Sequence, residues 1–321
     1  MGLFRRLGRY TRSAWGLWRR GGDEAVADHA IARLRALVGV DRLEGRVQTL
    51  EGRVQTVEGR IQTLEGRIQT VETTGTTWAV TSWIEQAVLD QAPLVSVILP
   101  THNRSRLLAR AIESVRSQVY PSWEIVVVDD GSTDDTPAVV ERLRRGLDDD
   151  RLQAIRILPS GVCAARNHGL TSAKGSLIAY LDDDNVMHPL WLKAVVWAFS
   201  RRPDVDVVYG GISIDDVLRV NRRDAGALPS YHLSPFDRQR LAQQNLADIG
   251  AIAHRSRLPE AHFDETLREM GDWDLLLRLT RAKAPLMLPA IACFYLTTAP
   301  DRLSGGPTFE ADAARVRAKA R

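Results

Sequence analysis

The chain has 321 residues, of which 26% are charged and 44% hydrophobic, a balance typical of globular proteins. Its formal net charge is +3, and the basic excess lies near the start of the chain, which excludes a protein that binds nucleic acid over its whole surface. Cys163 and Cys293 stand in apolar stretches of sequence, so we expect reduced thiols in a cytoplasmic protein. The sequence has no apolar run of about 18 residues, so it predicts no membrane-spanning helix.

Residues 1–39 are predicted to form a basic amphipathic segment. Residues 1–22 mix arginines with leucine, phenylalanine, tyrosine and tryptophan and contain no acidic residue. This composition suits the surface of an anionic membrane, with the aromatic rings at the level of the headgroups, so we predict a peripheral membrane contact there. The alternative is a basic tail without fixed structure, because its glycines disfavour a helix.

Residues 46–72 contain an internal repeat of seven residues that begins RVQTLEG. Its apolar residues, called here the heptad seam, follow one another at alternating steps of three and four: Val47, Leu50, Val54, Val57, Ile61, Leu64, Ile68 and Val71. These are the a and d positions of a coiled coil, which we predict over residues 40–72. The alternative, a disordered repeat expansion, does not explain why the seam keeps its register.

The polar positions of the repeat predict self-association. Glutamates at e and arginines at g complement each other between parallel helices. Gly52, Gly59 and Gly66 at f cost about 1 kcal/mol each relative to alanine, so the helix must gain its stability from association. The β-branched a positions and mixed d positions leave a parallel dimer and a parallel trimer open.

Residues 73–93 are predicted to be a connector, with a helix from Trp78 to Leu89, that leads to a main domain over 94–304. A tail over 305–321 follows. In the main domain short apolar strands alternate with helical patterns, which predicts an α/β fold with a mostly parallel sheet. Polar clusters follow three of the strands, at 101–103, 129–130 and 182–184. Because such sheets bind ligands at the carboxyl ends of their strands, and helix N-termini favour phosphate, we expect one site there.

The apolar run 177–181 ends abruptly at three adjacent carboxylates, Asp182, Asp183 and Asp184. Adjacent carboxylates repel one another unless a cation lies beside them, and Mg²⁺ typically uses one or two carboxylates together with substrate phosphates. In an extended segment residues i and i+2 share a face, so Asp182 and Asp184 are predicted to bind one divalent cation. The alternative is a solvated acidic turn that caps the following helix.

Four sequence blocks, in order, carry a resemblance to a known family. They read VSVILPTHNR, EIVVVDDGSTDDT, GVCAARNHGL followed by GSLIAYLDDDNVMHP, and FDETLREMGDWDLLLRL. With these blocks residues 94–304 resemble the family 2 glycosyltransferases, inverting enzymes that have the GT-A nucleotide-sugar fold. The resemblance implies metal-dependent transfer of a sugar from a nucleotide donor, with UDP expected first, to a hydroxyl of a glycan, lipid-linked or protein acceptor.

The resemblance also implies roles for individual residues. The implied nucleotide-binding residues are Pro100, Thr101, Asn103, Asp130, Arg166, Asp182 and Asp183. Within this set Asp130 would accept a hydrogen bond from the uracil imide. Asp182 and Asp184 would hold Mn²⁺ or Mg²⁺ against the diphosphate, with Asp184 the more direct ligand. Asp272 would be the catalytic base that deprotonates the acceptor hydroxyl, and a helix cap is the alternative for this carboxylate.

The chain departs from the family pattern at two places. Relatives usually carry a glutamate before the base, where this chain has Gly271, and an arginine and a histidine after the last strand, where this chain reads YLTTAPDRLSG. These departures keep open an alternative in which the coiled coil is the function and the domain is a non-catalytic relic. A nucleotidyltransferase is a weaker alternative, because PTHNRS is not the Gly-rich phosphate loop expected after its first strand.

Overall fold

The computed structural model describes residues 28, 32, 40–145, 151–214, 230–296 and 308–320. The chain divides into two compact units between Gln69 and Thr70. The predicted basic segment, residues 1–39, lies outside the described residues apart from two isolated positions. Within the described ranges, no helix combines the length and the apolar character needed to cross a bilayer.

Helix α1 (Val40–Gln86) contains the heptad repeat and continues past it. The seam side chains described in the first unit are about half exposed, with fractions of 48–54%: Val47, Leu50, Val54, Val57 and Ile61. The predicted helix is therefore present, while its association with a second helix stays a prediction. Residues 73–77 end the repeat but not the helix, so α1 continues without a break into the region of the predicted connector helix. Thr77, Thr81 and Ile84 are buried, and this packing outweighs the modest helix penalties of threonine and glycine.

The second unit contains one sheet, to which the described residues contribute nine strands. In chain order they are β1 (Val95–Thr101), β2 (Trp123–Asp129), β3 (Leu152–Arg156), β4 (Leu177–Tyr180), β5 (Val186–Met187), β6 (Val207–Ile214), β7 (Ser230–His232), β8 (Ile252–Arg255) and β9 (Leu286–Tyr295). Their order in the sheet is β3-β2-β1-β4-β8-β6-β9-β5, and β7 pairs with β6.

Helices alternate with these strands, as the sequence predicts. They are α2 (Ser105–Arg116), α3 (Thr136–Arg145), α4 (Val162–Ser172), α5 (Trp191–Arg201), the short α6 (Arg238–Leu241), α7 (Gly271–Leu279) and α8 (Phe309–Lys319). A 3₁₀ turn, Ile249–Ala251, immediately precedes β8.

The first half of the sheet is parallel, and its register brings the strand ends together. Thr101 pairs with Asp129 across β1 and β2, and Ile98 pairs with Tyr180 across β1 and β4. The backbone N–H of Asp130 then donates to the carbonyl of Thr101 at 2.9 Å. Polar residues that follow β1, β2 and β4 therefore meet at one edge.

The second half of the sheet is mixed. Strand β8 runs antiparallel to both β4 and β6, whereas β6 and β9 are parallel. The α/β prediction is confirmed, but the sheet is less uniformly parallel than the alternation of strands and helices suggests. The order of strands and helices in the sequence does not reveal that β8 is antiparallel. A parallel strand needs a long crossover connection, and β8 directly follows a short 3₁₀ turn.

Apolar clusters cover both faces of the sheet. Along β1, Val97 and Leu99 belong to one cluster and Ile98 to the other, as the two-residue period of a strand requires. The second cluster includes Phe263 and Trp273, and the indole N–H of Trp273 donates to the carbonyl of Leu241. Trp273 is thus a core residue, although it is adjacent to Asp272 in sequence.

Candidate active site

A cavity of about 470 Å³ opens at the carboxyl ends of β1, β2 and β4. Every residue predicted for the site lines it: Pro100, Thr101, Asn103, Asp130, Arg166, Asp182, Asp183, Asp184 and Asp272. Three strand ends and the first turn of α7, which are distant in sequence, therefore meet around one space. The site residues are brought together as predicted, while their individual roles stay predictions.

Asp130 is held rigidly at one end of the cavity. Its Oδ1 accepts from the backbone N–H of Ser160 at 2.7 Å, and its Oδ2 accepts from that of Gly161 at 2.8 Å. The glycines beside it allow this geometry, because Gly131 has φ +70° and Gly161 has φ +95°. Each carboxylate oxygen can accept a second hydrogen bond, so Asp130 retains capacity for a ligand donor.

Asn103 and Thr101 build the wall of the cavity through internal hydrogen bonds. Asn103 adopts φ +54°, and its Oδ1 accepts from the backbone N–H groups of Thr133 at 2.7 Å and Asp134 at 3.3 Å. The hydroxyl of Thr101 donates to Oδ2 of Asp183 at 2.7 Å. Both side chains shape the site by fixing neighbouring segments and also line the cavity, so the nucleotide contact that the resemblance implies for them stays a prediction.

The three consecutive aspartates form a turn, in which the N–H of Asn185 donates to the carbonyl of Asp182 at 3.1 Å. They do not continue the extended strand, so the alternation argument that singles out Asp182 and Asp184 does not apply. What distinguishes the three is exposure, since the exposed side-chain fractions are 29% for Asp182, 7% for Asp183 and 13% for Asp184.

Asp183 is the inward member of this turn. Arg104 Nη1 donates to Oδ1 of Asp183 at 3.0 Å and to Oδ2 of Asp184 at 2.8 Å. Burial raises the pKa of Asp183 to about 6, although the Arg104 charge opposes that shift. The hydrogen bonds from Thr101 and Arg104 to Asp183 hold the turn in place. The ligand-binding role that the resemblance implies for Asp183 stays a prediction.

Arg166 is a buried cation in the cavity wall. Its Nη2 donates to Oδ1 of Asp182 at 2.6 Å, and its guanidinium lies 5.3 Å from the ring centroid of Phe263. The residue is 6% exposed, and its Nε has no hydrogen-bond partner among the described residues. Burial acts to lower the pKa of Arg166, but the surrounding groups, Asp182 first among them, together raise it above the ordinary value. A permanent positive charge therefore faces this end of the cavity.

Asp272 lies in the first turn of α7 and lines the same cavity as Asp130. Its Oδ2 accepts from Asn245 Nδ2 at 2.8 Å, and its Oδ1 accepts from the N–H of Trp273 at 2.7 Å. Burial raises the pKa of Asp272 to about 6, while the nearby Arg166 charge acts in the opposite direction. A carboxylate with a pKa near neutral pH is suited to accept a proton from a substrate.

The cavity also contains residues that sequence reasoning did not single out: Arg104, Asp248, Arg268, Glu269 and Tyr295. Asp248 caps the 3₁₀ turn through a 2.8 Å bond from the N–H of Gly250. Burial, and then the Asp182 and Asp272 charges, raise the pKa of Asp248 well above its ordinary value. Arg104 and Arg268 belong to recognised sequence blocks, so their positions could have marked them as site residues, whereas Asp248 lies in no such block.

Gly271, the departure beside Asp272, has a steric reason. A Cβ added at Gly271 would lie 2.7 Å from Sγ of Cys163 and 3.4 Å from the ring of Phe263. Cys163 is buried, and burial raises the pKa of its thiol to about 11, so it is a packing residue without thiolate character. The glutamate usual in relatives therefore does not fit beside Cys163 without a shift of the surrounding residues.

The donor set of this cavity fits a divalent cation only in part. Among the described residues, no three His, Cys, Asp or Glu side chains are arranged to hold a metal by themselves. Asp182 and Asp184 nevertheless offer carboxylate oxygens at the cavity surface, and hard cations such as Mg²⁺ commonly combine one or two carboxylates with substrate phosphates. The loop after Tyr295, where relatives carry an arginine and a histidine, lies outside the described residues from 297 to 307.

Curated proteins resemble the chain over part of its length. WcaA of Escherichia coli (strain K12), named for colanic acid biosynthesis, is 31% identical over 190 residues, 58% of this chain and 66% of that protein. The GalNAc(5)-diNAcBac-PP-undecaprenol beta-1,3-glucosyltransferase of Campylobacter jejuni is 42% identical over 95 residues, 29% of this chain and 30% of that protein. The matched segments span less than two thirds of the length of these relatives.

A solved structure shares the fold. S. aureus TarS 1–349 in complex with UDP-GlcNAc superposes with a TM-score of 0.55 at 20% identity, over 70% of this chain and 66% of that chain. Residues 96–257, about half of the chain, match the family model described as Glycosyl transferase family 2. The recognised sequence blocks, the sheet whose strand ends meet at the cavity and this match agree: the chain belongs to glycosyl transferase family 2.

Proposed function

We propose that this chain transfers a sugar from a nucleoside diphosphate donor to a hydroxyl group with inversion at the anomeric carbon. One observation carries the proposal: a single cavity combines a buried cation at Arg166, accessible carboxylates at Asp182 and Asp184, and a separate carboxylate of near-neutral pKa at Asp272. Arg166 and the carboxylates of Asp182 and Asp184 suit the binding of a diphosphate with its cation. Asp272 suits removal of a proton from the acceptor hydroxyl.

The donor side of the proposal rests on Asp130 and Arg166. Asp130 is fixed by two backbone amides and keeps lone pairs for a further donor, which an imide N–H of a uracil ring would supply. Arg166 has a buried Nε without a partner among the described residues, which a phosphate or base oxygen would satisfy. The UDP-GlcNAc held by TarS makes UDP-sugars the first donors to test.

Asp182 and Asp184 are the proposed ligands of Mn²⁺ or Mg²⁺. Such a cation, when bound, stabilises the negative charge that develops on the departing diphosphate. The carboxylates of Asp182 and Asp184 now accept from Arg166 and Arg104, respectively. The negative charge of Asp182 also contributes to the raised pKa values of Asp248 and Asp272, and a cation bound beside it would lower them.

Asp272 is the proposed catalytic base. Asn245 and the N–H of Trp273 orient its carboxylate, which takes the proton of the acceptor hydroxyl. The hydroxyl oxygen forms a bond to the anomeric carbon while the bond from that carbon to the diphosphate oxygen breaks on the opposite face, so the configuration inverts. The proton on Asp272 then passes to solvent, and the leaving nucleoside diphosphate carries the electron pair of the broken bond.

The acceptor is proposed to enter beside Asp272, where Arg268, Glu269 and Tyr295 line the cavity. A hydroxyl of a glycan, a lipid-linked glycan or a protein would satisfy the chemistry. The name of the Campylobacter jejuni relative specifies an undecaprenol-linked glycan, so lipid-linked oligosaccharides are the first acceptors to test.

We also propose that the chain self-associates through the heptad seam as a parallel dimer or trimer. The described seam residues are about half exposed in the first unit, while two threonine hydroxyls at polar positions bond within the helix. Thr49 Oγ1, for example, donates to the carbonyl of Gly45 at 2.7 Å, and Thr56 Oγ1 to that of Gly52 at 2.8 Å. A second helix covering the seam would remove apolar surface from water at about 25 cal/mol per Å².

Residues 1–22 are proposed to contact anionic membranes, which would bring the enzyme to a lipid-linked acceptor. Cosedimentation of the full chain with vesicles of anionic lipid should exceed that with vesicles of neutral lipid, and the excess should fall as salt screens the arginines. Equal cosedimentation with both vesicle types would contradict this proposal.

The proposed activity is tested by a donor screen. The full chain is incubated with UDP-, GDP-, CDP- and dTDP-sugars, with Mn²⁺ or Mg²⁺ and a pool of lipid-linked acceptors, and release of the nucleoside diphosphate is measured. We expect release from one nucleotide class, and its loss in Asp184→Asn but not in Asp90→Asn, an exposed aspartate outside the cavity. A folded protein that turns over no donor would instead favour the non-catalytic scaffold.

A further inference from the structure

We infer that helix α8 (Phe309–Lys319) is a clamp that positions the segment carrying the proposed base. This base segment is defined as residues 264–274 and ends in the first turn of α7. The inference rests on the proposed function only in naming Asp272 as the base. Both α8 and Asp272 lie outside the residues that match the family model, 96–257.

The amino-terminal end of α8 and the base segment exchange hydrogen bonds. Oδ2 of Asp312 accepts from the backbone N–H groups of Arg268 at 2.7 Å and Glu269 at 3.0 Å. In the other direction, the N–H and hydroxyl of Thr308 both donate to Oε1 of Glu269, at 3.1 Å and 2.5 Å. Asp312 is 2% exposed, so these charge-assisted bonds form away from water, where removing the carboxylate leaves two amides without partners.

The carboxyl-terminal end of α8 makes a second set of contacts. Lys319 Nζ donates to Oδ2 of Asp264 at 2.5 Å and to Oδ1 of Asp274 at 2.7 Å. Asp274 is 1% exposed and also accepts from Nε of Arg278 at 2.9 Å. Lys319 thereby joins the first and last residues of the base segment to one another.

These contacts lie on one face of the helix. Positions 308, 312, 315 and 319 are separated by steps of four, three and four, and at position 315 Arg315 Nη1 donates to the carbonyl of Thr266 at 3.1 Å. Ala313 and Val316 add apolar packing within the cluster that includes Trp273. Apolar packing docks the helix, and the row of polar contacts fixes its position along the base segment.

The clamp reaches the chemistry through Arg268 and Glu269. Their backbone N–H groups bind Asp312, and both residues line the cavity, three to four positions before Asp272. From the other side, Asn245 bonds to the Asp272 carboxylate. Misplacement of a reacting group by about 1 Å can cost on the order of 10²-fold in rate. Asp312 and Lys319 are therefore positioning residues, which act through the segment they hold.

The test compares Asp312→Ala with Glu310→Ala in the full chain. Both substitutions remove one acid from the first turn of α8, but Glu310 is exposed and makes no hydrogen bond or ion pair with the base segment among the described residues. Asp312→Asn keeps an oxygen that can accept from the two amides. For each variant, amide hydrogen exchange over residues 264–274, binding of UDP with Mn²⁺, and release of UDP from UDP-GlcNAc are measured.

We expect Asp312→Ala to speed exchange at Arg268 and Glu269 by about tenfold or more and to lower the turnover number similarly. Affinity for UDP should stay unchanged, Asp312→Asn should recover most of both losses, and Glu310→Ala should match the wild type. Unchanged exchange in Asp312→Ala, or equal loss of UDP affinity and turnover, would overturn the clamp. If the wild type binds no UDP, the proposed function fails, and the exchange comparison still decides whether the clamp exists.

Discussion

Replacing Asp272 with asparagine removes the proposed base with little change of shape. In the wild type, Oδ2 of Asp272 accepts from Asn245 and Oδ1 from the N–H of Trp273. The asparagine oxygen can keep the bond from Trp273, and a rotation of the Asn245 amide lets that side chain accept from the new NH₂ group. We therefore expect Asp272→Asn to fold and to bind nucleotide as the wild type does.

The expected loss appears in turnover. General-base catalysis contributes about 10²- to 10⁴-fold, so the turnover number of Asp272→Asn should fall by that order while the affinity for UDP with Mn²⁺ stays within about threefold. The assay is release of nucleoside diphosphate from the donor found in the screen, with binding followed by calorimetry on the same samples. Near-wild-type turnover with normal binding would refute the assignment of Asp272.

The pH profile gives an independent check of the same residue. Burial raises the pKa of Asp272 to about 6, and the base acts in its deprotonated form. The wild-type kcat/KM should thus be constant well above pH 6 and fall about tenfold per pH unit well below it. This acid limb should be absent from the residual activity of Asp272→Asn. An identical limb in both proteins would assign the titration to another group.

Three further predictions concern stability and assembly. Burial and neighbouring charges raise the folded-state pKa of Asp248, so ionisation of this carboxyl destabilises the fold as pH rises. Asp248→Asn should therefore increase the free energy of unfolding by on the order of 1 kcal/mol at pH 8 and by less at pH 5, and destabilisation at both pH values would contradict this. Gly271→Ala should lower the free energy of unfolding by about 1–3 kcal/mol, because the added Cβ would clash with Cys163. Most of that loss should vanish when Cys163 is also replaced by alanine, and additive effects of the two substitutions in denaturant unfolding would contradict the steric explanation. Val54→Asp on the heptad seam should reduce the mass measured by light scattering, whereas Gln55→Asp at a polar position should not; an unchanged mass in Val54→Asp would argue against association through the seam.

Local patterns in the sequence predicted much of the fold. Strand β4 (Leu177–Tyr180) lies in the apolar run 177–181, because a short apolar run that ends at charged residues indicates a buried strand. The polar residues that end β1, β2 and β4 were predicted to converge because parallel strands share an edge, and they line one cavity. The heptad repeat likewise predicted a helix, which α1 contains.

Features that depend on tertiary packing were not predictable in this way. The hydrogen bonds of Asp312 join residues that are 43 and 44 positions apart in the chain. Asp248 belongs to the acidic site only because the fold brings it close to Asp182 and Asp272, whose charges raise its pKa. The aspartates form a turn at 182–185, and they do not have the extended geometry that the prediction assumed. Helix α1 continues through residues 73–77, and the residues that pack its end, Thr77, Thr81 and Ile84, are buried. The fit of Gly271 to Cys163 joins two segments that no local pattern relates.

The central claim, a donor site built on the aspartate turn, is tested most directly by thermal stabilisation. Wild type and Asp184→Ala are each melted with UDP, GDP, CDP or dTDP, with and without Mn²⁺. We predict that one nucleotide, UDP, stabilises the wild type by about 2.7 kcal/mol at a hundred times its Kd, that the shift requires Mn²⁺, and that Asp184→Ala abolishes it. No shift with any nucleotide, or a shift that persists in Asp184→Ala, would contradict the account.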